Sequence, residues 1–140
     1  IDLAFLTQAS GGTLAEKMRI ASDGQLSFNS GFGSVGKAYG VRAWANFDGS
    51  ASSVSPRASG NVGSITDHGV GQYTCNFTNA MPDTNYVIFG SGGYIAESNL
   101  ICVSQNRGAT APATGSCRIS VTYANLYLID VAQVSVAFIR

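Results

Sequence analysis

Apolar and polar residues alternate with a period of two through most of the chain after residue 38. Tyr39, Val41, Ala43, Ala45 and Phe47 fall on one face of such a pattern, and segments 72–78, 117–123 and 133–138 alternate in the same way. Successive side chains of a strand point to opposite faces of a sheet, so this period predicts strands with one buried face. It leaves little room for amphipathic helices.

Two further segments, 86–89 and 100–103, are continuous apolar runs. Such runs are typical of strands buried on both faces. Clusters of Gly, Pro, Asp and Ser separate all of these segments at short intervals, and turns favour these residue types. We therefore predict an all-β fold, a β-sandwich or jelly-roll-like domain over residues 38–140.

Residues 1–37 have a different character. Segments 18–20 and 25–28 resemble short strands, and Ser22-Asp23-Gly24 supplies a turn between them. The spacing of Thr13 and Glu16 matches a capping box, which predicts a helical turn there. Segment 29–37 is rich in Gly and Ser and is predicted to be a connector. The whole segment is too short and polar to bury a core alone, so we expect it to need the same segment of other copies.

The chain is nearly free of charge. Of its 140 residues 11% are charged, and its formal net charge is zero. Binding to nucleic acid depends on neutralising phosphates, so that class of partner is excluded. A surface built from Ser, Thr, Asn, Gln and Gly is poorly protected by charge against self-association. This composition fits a chain whose surface is partly covered by identical partners.

The chain has three cysteines, Cys75, Cys102 and Cys117, and none has the spacing of a metal site. Cys75 alternates in phase with Tyr73 and Phe77, and Cys117 alternates in phase with Ile119. We therefore expect both to be small core residues with free thiols.

Several blocks of the sequence together resemble the distal domain of bacteriophage tail fibres. They read Ala43-Trp-Ala-Asn-Phe-Asp-Gly49, Ala58-Ser-Gly-Asn-Val62, Asp67-His-Gly-Val-Gly-Gln-Tyr-Thr-Cys-Asn-Phe77 and Ala80-Met-Pro-Asp-Thr-Asn-Tyr86. Segment 14–20, followed by 22–25, looks like the shaft repeat that often precedes this domain. The last residues, 134–140, resemble its terminal strand.

The resemblance implies a homotrimer located in the phage virion, with a shaft end and connector over 1–37 and a distal knob over 38–140. The knob would bind a glycan or an outer-membrane component of the host surface, and the rest of the fibre would be a further partner. It implies no enzymatic activity. Two alternatives stay open: a structural tip that only aligns the three chains of the trimer, and an enzyme that degrades polysaccharide.

We expect no catalytic residue, cofactor or metal. His68 is the only histidine, and Asp67-His68-Gly69 is predicted to be a turn rather than part of a catalytic triad. Glu97 and Asp130 are the only acids that one loop region could pair as a glycosidase requires. The string Gly31-x-Gly33-x-x-Gly36 precedes a strand rather than a helix, which argues against phosphate binding.

The aromatic residues give the clearest indication of a binding surface. Tyr39, Tyr73, Tyr86, Phe47, Phe77, Phe89 and Phe138 fall on apolar strand faces and are expected in the core. Trp44, beside Arg42, falls on the opposite face, where it would serve a subunit interface or a binding platform, and we favour the trimer interface. Loops carry recognition on rigid scaffolds. The expected receptor-binding residues are Tyr94, Asn99, Asn106, Arg107, Tyr123, Asn125 and Tyr127.

Overall fold

A computed structural model describes residues 1–29, 34–93, 100–106, 108 and 110–140. The chain divides into two compact units, Ile1–Tyr39 and Gly40–Arg140. All regular structure in the described ranges is β-strand, which confirms the all-β prediction.

The first unit is a four-stranded antiparallel sheet with its strands in chain order. The strands are β1 Leu3–Thr7, β2 Ala15–Ile20, β3 Leu26–Phe28 and β4 Gly36–Lys37. The turn between β2 and β3 has Gly24 at a φ of 83°, in the left-handed region that favours glycine.

The helical turn predicted at Thr13–Glu16 is wrong. Ala15 and Glu16 are the first residues of β2, which pairs with both β1 and β3. Pairing on both sides of the strand satisfies the backbone better than one isolated helical turn would, so tertiary context overrides the local capping signal.

Side chains of the first unit stay largely open to solvent. Ser27 is its one buried residue among those described, and its large apolar side chains at Leu3, Phe5, Leu6, Leu14, Leu26 and Phe28 are exposed. Arg19 forms ion pairs with Asp2 and Glu16. A single sheet layer of this size encloses no core of its own.

The second unit is an eight-stranded antiparallel sheet in the order β6-β5-β12-β9-β10-β11-β8-β7. Its strands are β5 Val41–Phe47, β6 Pro56–Gly60, β7 Val62–Asp67, β8 Gln72–Phe77, β9 Val87–Gly93, β10 Ile101–Gln105, β11 Ser116–Tyr123 and β12 Gln133–Ile139. The edge strands β6 and β7 are consecutive in the chain and contact each other. The sheet therefore curls into a nearly closed barrel.

Asn61 joins the two edges of this sheet. It has a φ of 57°, which Asn tolerates better than most residues. Its side-chain amide donates to the carbonyls of Arg42 at 3.1 Å and Asn79 at 3.0 Å, and its Oδ1 accepts from the Asn79 amide at 2.7 Å. These bonds connect the start of β5 to the chain that follows β8.

One face of the curled sheet forms the core. Phe47 packs edge-on against Tyr73 at 5.1 Å between ring centroids, and Phe77 against Phe138 at 4.9 Å. Other fully buried side chains are Ile119, Val121, Val131, Val134, Cys75 and Cys117. The burial of Tyr73, Tyr86, Phe47, Phe77 and Phe138 confirms their predicted place in the core.

Tyr39 and Phe89 were also expected in the core, and that expectation is wrong, since each is 63% exposed. The sheet is one layer whose outer face meets solvent, so the side chains of the run 86–89 alternate between its two faces. Tyr86 is buried in the core, and Phe89 is exposed on the outer face. The run 100–103 likewise has Leu100 exposed and Ile101 buried.

Val41 departs from the predicted face for a different reason. Phe138 pairs with Ala43, but the next residue, Ile139, pairs with Val41, so Arg42 is an extra residue in β5. A bulge of this kind changes the phase of the alternation. Val41 is therefore exposed, although it is separated from buried Ala43 by one residue.

Cys75 and Cys117 are buried with free thiols, as predicted, and Cys102 is half-buried. Burial raises the pKa of both core thiols. Within the described ranges, no helix has the length and apolar character needed to cross a membrane.

Candidate functional site

A groove of about 480 Å³ runs over the outer face of the second unit. It crosses β5, β12 and β9, and its lining is Trp44, Ala45, Asn46, Phe89, Gly90, Ser91, Ser135, Val136 and Ala137. Its volume is in the range of small-ligand sites. We call it the Trp44 groove.

Two aromatic side chains form the walls of the Trp44 groove. Ala137 of β12 pairs with Trp44 on one side and with Phe89 on the other, so the three residues form one row across the strands. Neighbouring strands lie about 4.8 Å apart, which places the two aromatic residues about 10 Å from each other. Trp44 is 42% exposed and Phe89 is 63% exposed, with the small Ala137 between them.

Gly60 leaves the space that the Trp44 indole occupies. The two residues pair across β5 and β6, and a Cβ at position 60 would lie 2.4 Å from the indole Nε1. Heavy atoms cannot approach so closely, so a glycine is required for this orientation of the ring.

A polar row runs beside the aromatic row. Ser135 pairs with Asn46 and with Ser91, so one amide and two hydroxyls face the same side of the sheet. Asn46 Nδ2 donates to Ser135 Oγ at 2.9 Å, which orients the amide. No residue of the groove lining is ionisable. The groove therefore offers apolar faces and neutral hydrogen-bonding groups to a ligand.

On the other side of the aromatic row lies an apolar row. Ile139 pairs with Val41 and with Val87, and both valines are more than half exposed. With Trp44 and Phe89 they form a contiguous apolar patch, and patches of this kind usually mark interaction sites.

The position of Trp44 on an exposed outer face suits both of its predicted uses, a subunit interface and a binding platform. Arg42, its predicted neighbour in the interface, is exposed, and its Nε donates to the carbonyl of Arg140 at 3.1 Å. Sequence reasoning missed Phe89 as the second wall, because a continuous apolar run such as 86–89 predicts a strand buried on both faces.

Of the predicted receptor residues, Tyr123, Asn125 and Tyr127 lie together in a tight turn after β11. The Leu126 amide donates to the Tyr123 carbonyl at 3.0 Å, and the Tyr123 amide donates to the Tyr127 carbonyl at 3.0 Å. Asn125 Oδ1 accepts from the Tyr127 amide at 3.4 Å. Tyr127 is 72% exposed, so its ring is accessible to a ligand.

Asn106 lies at the opposite end of the sheet from this turn. Ile101 at the start of β10 pairs with Tyr123, whereas Asn106 follows the other end of β10 and its amide donates to Arg118. No single end of the sheet can therefore combine Asn106 with Tyr127. Tyr94, Asn99 and Arg107 lie outside the described residues.

A second outer surface covers β10, β11, β8 and β7, and we call it the polar face. Its rows, read across the strands, are Ser104, Ser120 and Gln72; then Arg118, Thr74 and Thr66; then Ser116, Asn76 and Ser64. Asn76 Nδ2 donates to Ser64 Oγ at 3.1 Å and to Thr66 Oγ1 at 2.9 Å. All of these side chains are neutral except that of Arg118.

The residues weighed for catalysis have other contacts. Asp67 Oδ1 accepts from the Gly69 amide at 2.8 Å, which confirms the predicted turn, and His68 Nε2 lies 2.9 Å from Thr74 Oγ1. Asp130 Oδ1 accepts from the Tyr73 hydroxyl at 2.5 Å and from the Gly71 amide at 2.7 Å. Glu97, its imagined partner, lies outside the described residues. No cluster of His, Cys, Asp and Glu suited to a metal ion occurs among the residues described.

The chain has the all-β fold of a domain found in a phage tailspike. That solved structure is the phiAB6 tailspike in complex with three-repeated oligosaccharides of Acinetobacter baumannii surface polysaccharide, and the likeness has a TM-score of 0.60 at 16% identity. The match covers 99% of this chain and 28% of the tailspike chain. No protein-family model matches the sequence, and no significant match was found among curated proteins.

Proposed function

We propose that this chain belongs to a phage tail protein and binds polysaccharide on the surface of a bacterium, with a sugar ring held in the Trp44 groove. The observation that carries the proposal is the row of Trp44, Ala137 and Phe89, with its two exposed aromatic side chains flanking a small residue.

The chemistry of the groove suits a sugar. A pyranose has faces of C–H groups that pack against aromatic rings, and a rim of hydroxyls that exchange hydrogen bonds with amides and other hydroxyls. Trp44 and Phe89 supply the first kind of contact, and Asn46, Ser91 and Ser135 supply the second. An uncharged groove of this kind favours a neutral ring over a charged one, because a buried charge without a partner is costly.

The fold supports the assignment to a phage tail. The phiAB6 tailspike, which shares this fold, was solved with surface oligosaccharides bound. The sequence blocks described above resemble tail-fibre tips as well. Under this proposal the protein is part of the virion and acts at the host surface, with the first unit as the end of the fibre shaft and the second as the knob.

The proposed protein is a homotrimer that adheres without cleaving its ligand. The exposed apolar side chains of the first unit would be covered by the same segments of two other copies. Three weak sites on one tip give an avidity that exceeds the affinity of any one of them.

A structural tip is the second candidate, and the apolar row of Val41, Ile139 and Val87 favours it. If a neighbouring subunit covers this row together with Trp44, the groove is part of the trimer interface. Substitution of Trp44 would then weaken the assembly rather than ligand binding.

Binding of the whole chain to a panel of purified bacterial surface polysaccharides tests the proposal. Trp44→Ala and Phe89→Ala should each reduce affinity about tenfold or more for any polymer that binds, because each removes one aromatic face, and stacking of a nucleic-acid base on such a face contributes roughly 1–3 kcal/mol. Val70→Ala is the matched control, because Val70 is exposed in the turn between β7 and β8.

Light scattering on the same variants separates the candidates. Trimers that keep their mass of three chains but lose binding support the groove as a ligand site. Variants that dissociate support the structural tip. A reducing-sugar assay on the bound polymers would detect cleavage, and released ends would overturn the non-enzymatic part of the proposal.

A further inference from the structure

Arg118 occupies the middle of the polar face. It pairs with Thr74 of β8, and the neighbouring rows place Ser104, Ser120 and Gln72 on one side and Ser116 and Asn76 on the other. Its guanidinium is the one cationic side chain in these rows of hydroxyls and amides.

The carboxylates that form ion pairs in the described part of the chain serve other arginines. Asp2 and Glu16 pair with Arg19, Asp48 pairs with Arg57, and Asp83 pairs with Arg140. Arg118 forms no ion pair with a described residue. None of the described carboxylates therefore neutralises its positive charge.

The hydrogen bonds of Arg118 are also incomplete. Its Nη2 donates to Gln72 Oε1 at 2.9 Å, which holds the guanidinium in place. Its Nε lies below the surface and has no acceptor. An unpaired buried N–H group costs free energy, which an oxyanion could recover. A small shift of the side chain would present Nε and one Nη together, the fork that binds carboxylate and phosphate oxygens.

We infer that Arg118 binds an anionic group, a carboxylate or a phosphate, on the same polysaccharide that the Trp44 groove holds by a neutral sugar. This inference rests on the proposed function. The uncharged groove has nothing to pair with an anion, whereas the polar face combines one cation with hydroxyls for the remaining oxygens. The host polymer is therefore acidic.

The first test compares an acidic surface polysaccharide with the same polymer after chemical reduction of its carboxyl groups. A phosphate-containing polymer, treated to remove phosphate, forms the parallel arm. Arg118→Gln should weaken binding to the acidic polymer about tenfold or more, since a charge-assisted hydrogen bond is lost. Removal of the anionic group from the polymer should weaken its binding to the unsubstituted protein by a similar factor.

Arg57→Gln is the matched control, because it removes one positive charge from an exposed arginine elsewhere on the same unit. Arg118→Lys keeps the charge but loses the fork, and should bind with intermediate affinity. If the polymers that bind are neutral, or if Arg118→Gln binds the acidic polymer as well as the unsubstituted chain does, the inference is wrong while the proposed function stands.

A second test does not depend on polymer binding. The Nε–H resonance of Arg118 can be assigned in a ¹⁵N NMR spectrum by its loss in Arg118→Gln. We expect it to shift on titration with glucuronate or inorganic phosphate, and not with glucose. If the resonance shifts with neither anion, the proposed anion site is wrong, even where the polysaccharide tests succeed.

Discussion

The Trp44 indole lies against Gly60, its partner across β5 and β6, at a distance that leaves no room for a Cβ. The orientation of one wall of the groove thus depends on a residue outside the groove lining. Glycine at this position would otherwise weaken a strand, since it has no side chain to pack.

Gly60→Ala should displace the indole and reduce polysaccharide binding, because the added methyl would meet Nε1 at 2.4 Å. Trp44 is the only tryptophan in the sequence, so its fluorescence reports the displacement directly. Gly115→Ala is the control, since a Cβ there meets nothing within 4 Å. Unchanged fluorescence and affinity in Gly60→Ala would show that the ring orientation does not matter for binding.

The strands of the second unit were largely predictable from the sequence, because a half-buried strand repeats every two residues and the pattern is local. The pairing of strands was not. Trp44, Phe89 and Ala137 are far apart in the chain, and they meet only through the register of β5, β12 and β9.

The errors in the predicted core have the same origin. A continuous apolar run such as 86–89 fits a strand buried on both faces or a strand whose outer face joins an apolar patch, and only the neighbouring strands decide between them. The bulge at Arg42 likewise depends on how β5 pairs with β12. The residues expected to bind the receptor follow from predicted loops and side-chain type, and neither carries information about which end of a sheet a loop occupies.

Tyr73 should make the stability of the protein sensitive to alkaline pH. Burial raises its pKa, and the hydrogen bond to Asp130 and the charge of that carboxylate raise it further. The unfolded chain releases the Tyr73 proton above its ordinary pKa of about 10, whereas the folded chain retains it. The contribution of Tyr73 to stability is therefore complete below that pH and is lost as the pH rises through the folded pKa.

Tyr73→Phe should cost about 1–3 kcal/mol near neutral pH, because the carboxylate of Asp130 loses the one proton that the Tyr73 hydroxyl donates. It should also make the decline in stability above pH 10 shallower. Denaturant unfolding of both proteins at several pH values measures the two effects. Tyr86→Phe serves as a comparison, since burial raises the pKa of Tyr86 as well. Parallel pH profiles for the original chain and Tyr73→Phe would contradict the assignment.

Removal of residues 136–140 should prevent folding of the second unit. Strand β12 pairs with β5 on one side and with β9 on the other, so the deletion leaves residues 41–45 of β5 and 87–90 of β9 without partners on the side that faced β12. It also removes Phe138, which contacts Phe77 and Tyr86 in the core. We expect insoluble protein that shows no cooperative melting transition. Deletion of Arg140 alone is the control, because it removes a half-buried ion pair with Asp83 and leaves the strand intact. A soluble 1–135 chain that melts like the original would refute this account of β12.

Cys75 and Cys117 should stay reduced, even though they face each other across β8 and β11. The Phe77 amide donates to the Gly115 carbonyl, so residues 77 and 115 form a hydrogen-bonded pair of the antiparallel ladder. Such pairs recur at every second residue, so Cys75 and Cys117 also form one, with Cα atoms about 5.5 Å apart. That separation permits a disulfide. Both thiols are nonetheless fully buried, and burial raises the pKa of each, so neither forms the thiolate that reacts.

In Cys102→Ser, which lacks the half-buried thiol, a thiol reagent should label nothing until the chain is unfolded, and then two sites. Labelling of the native variant, or a disulfide in its non-reduced mass spectrum, would show that the barrel opens enough to expose this pair.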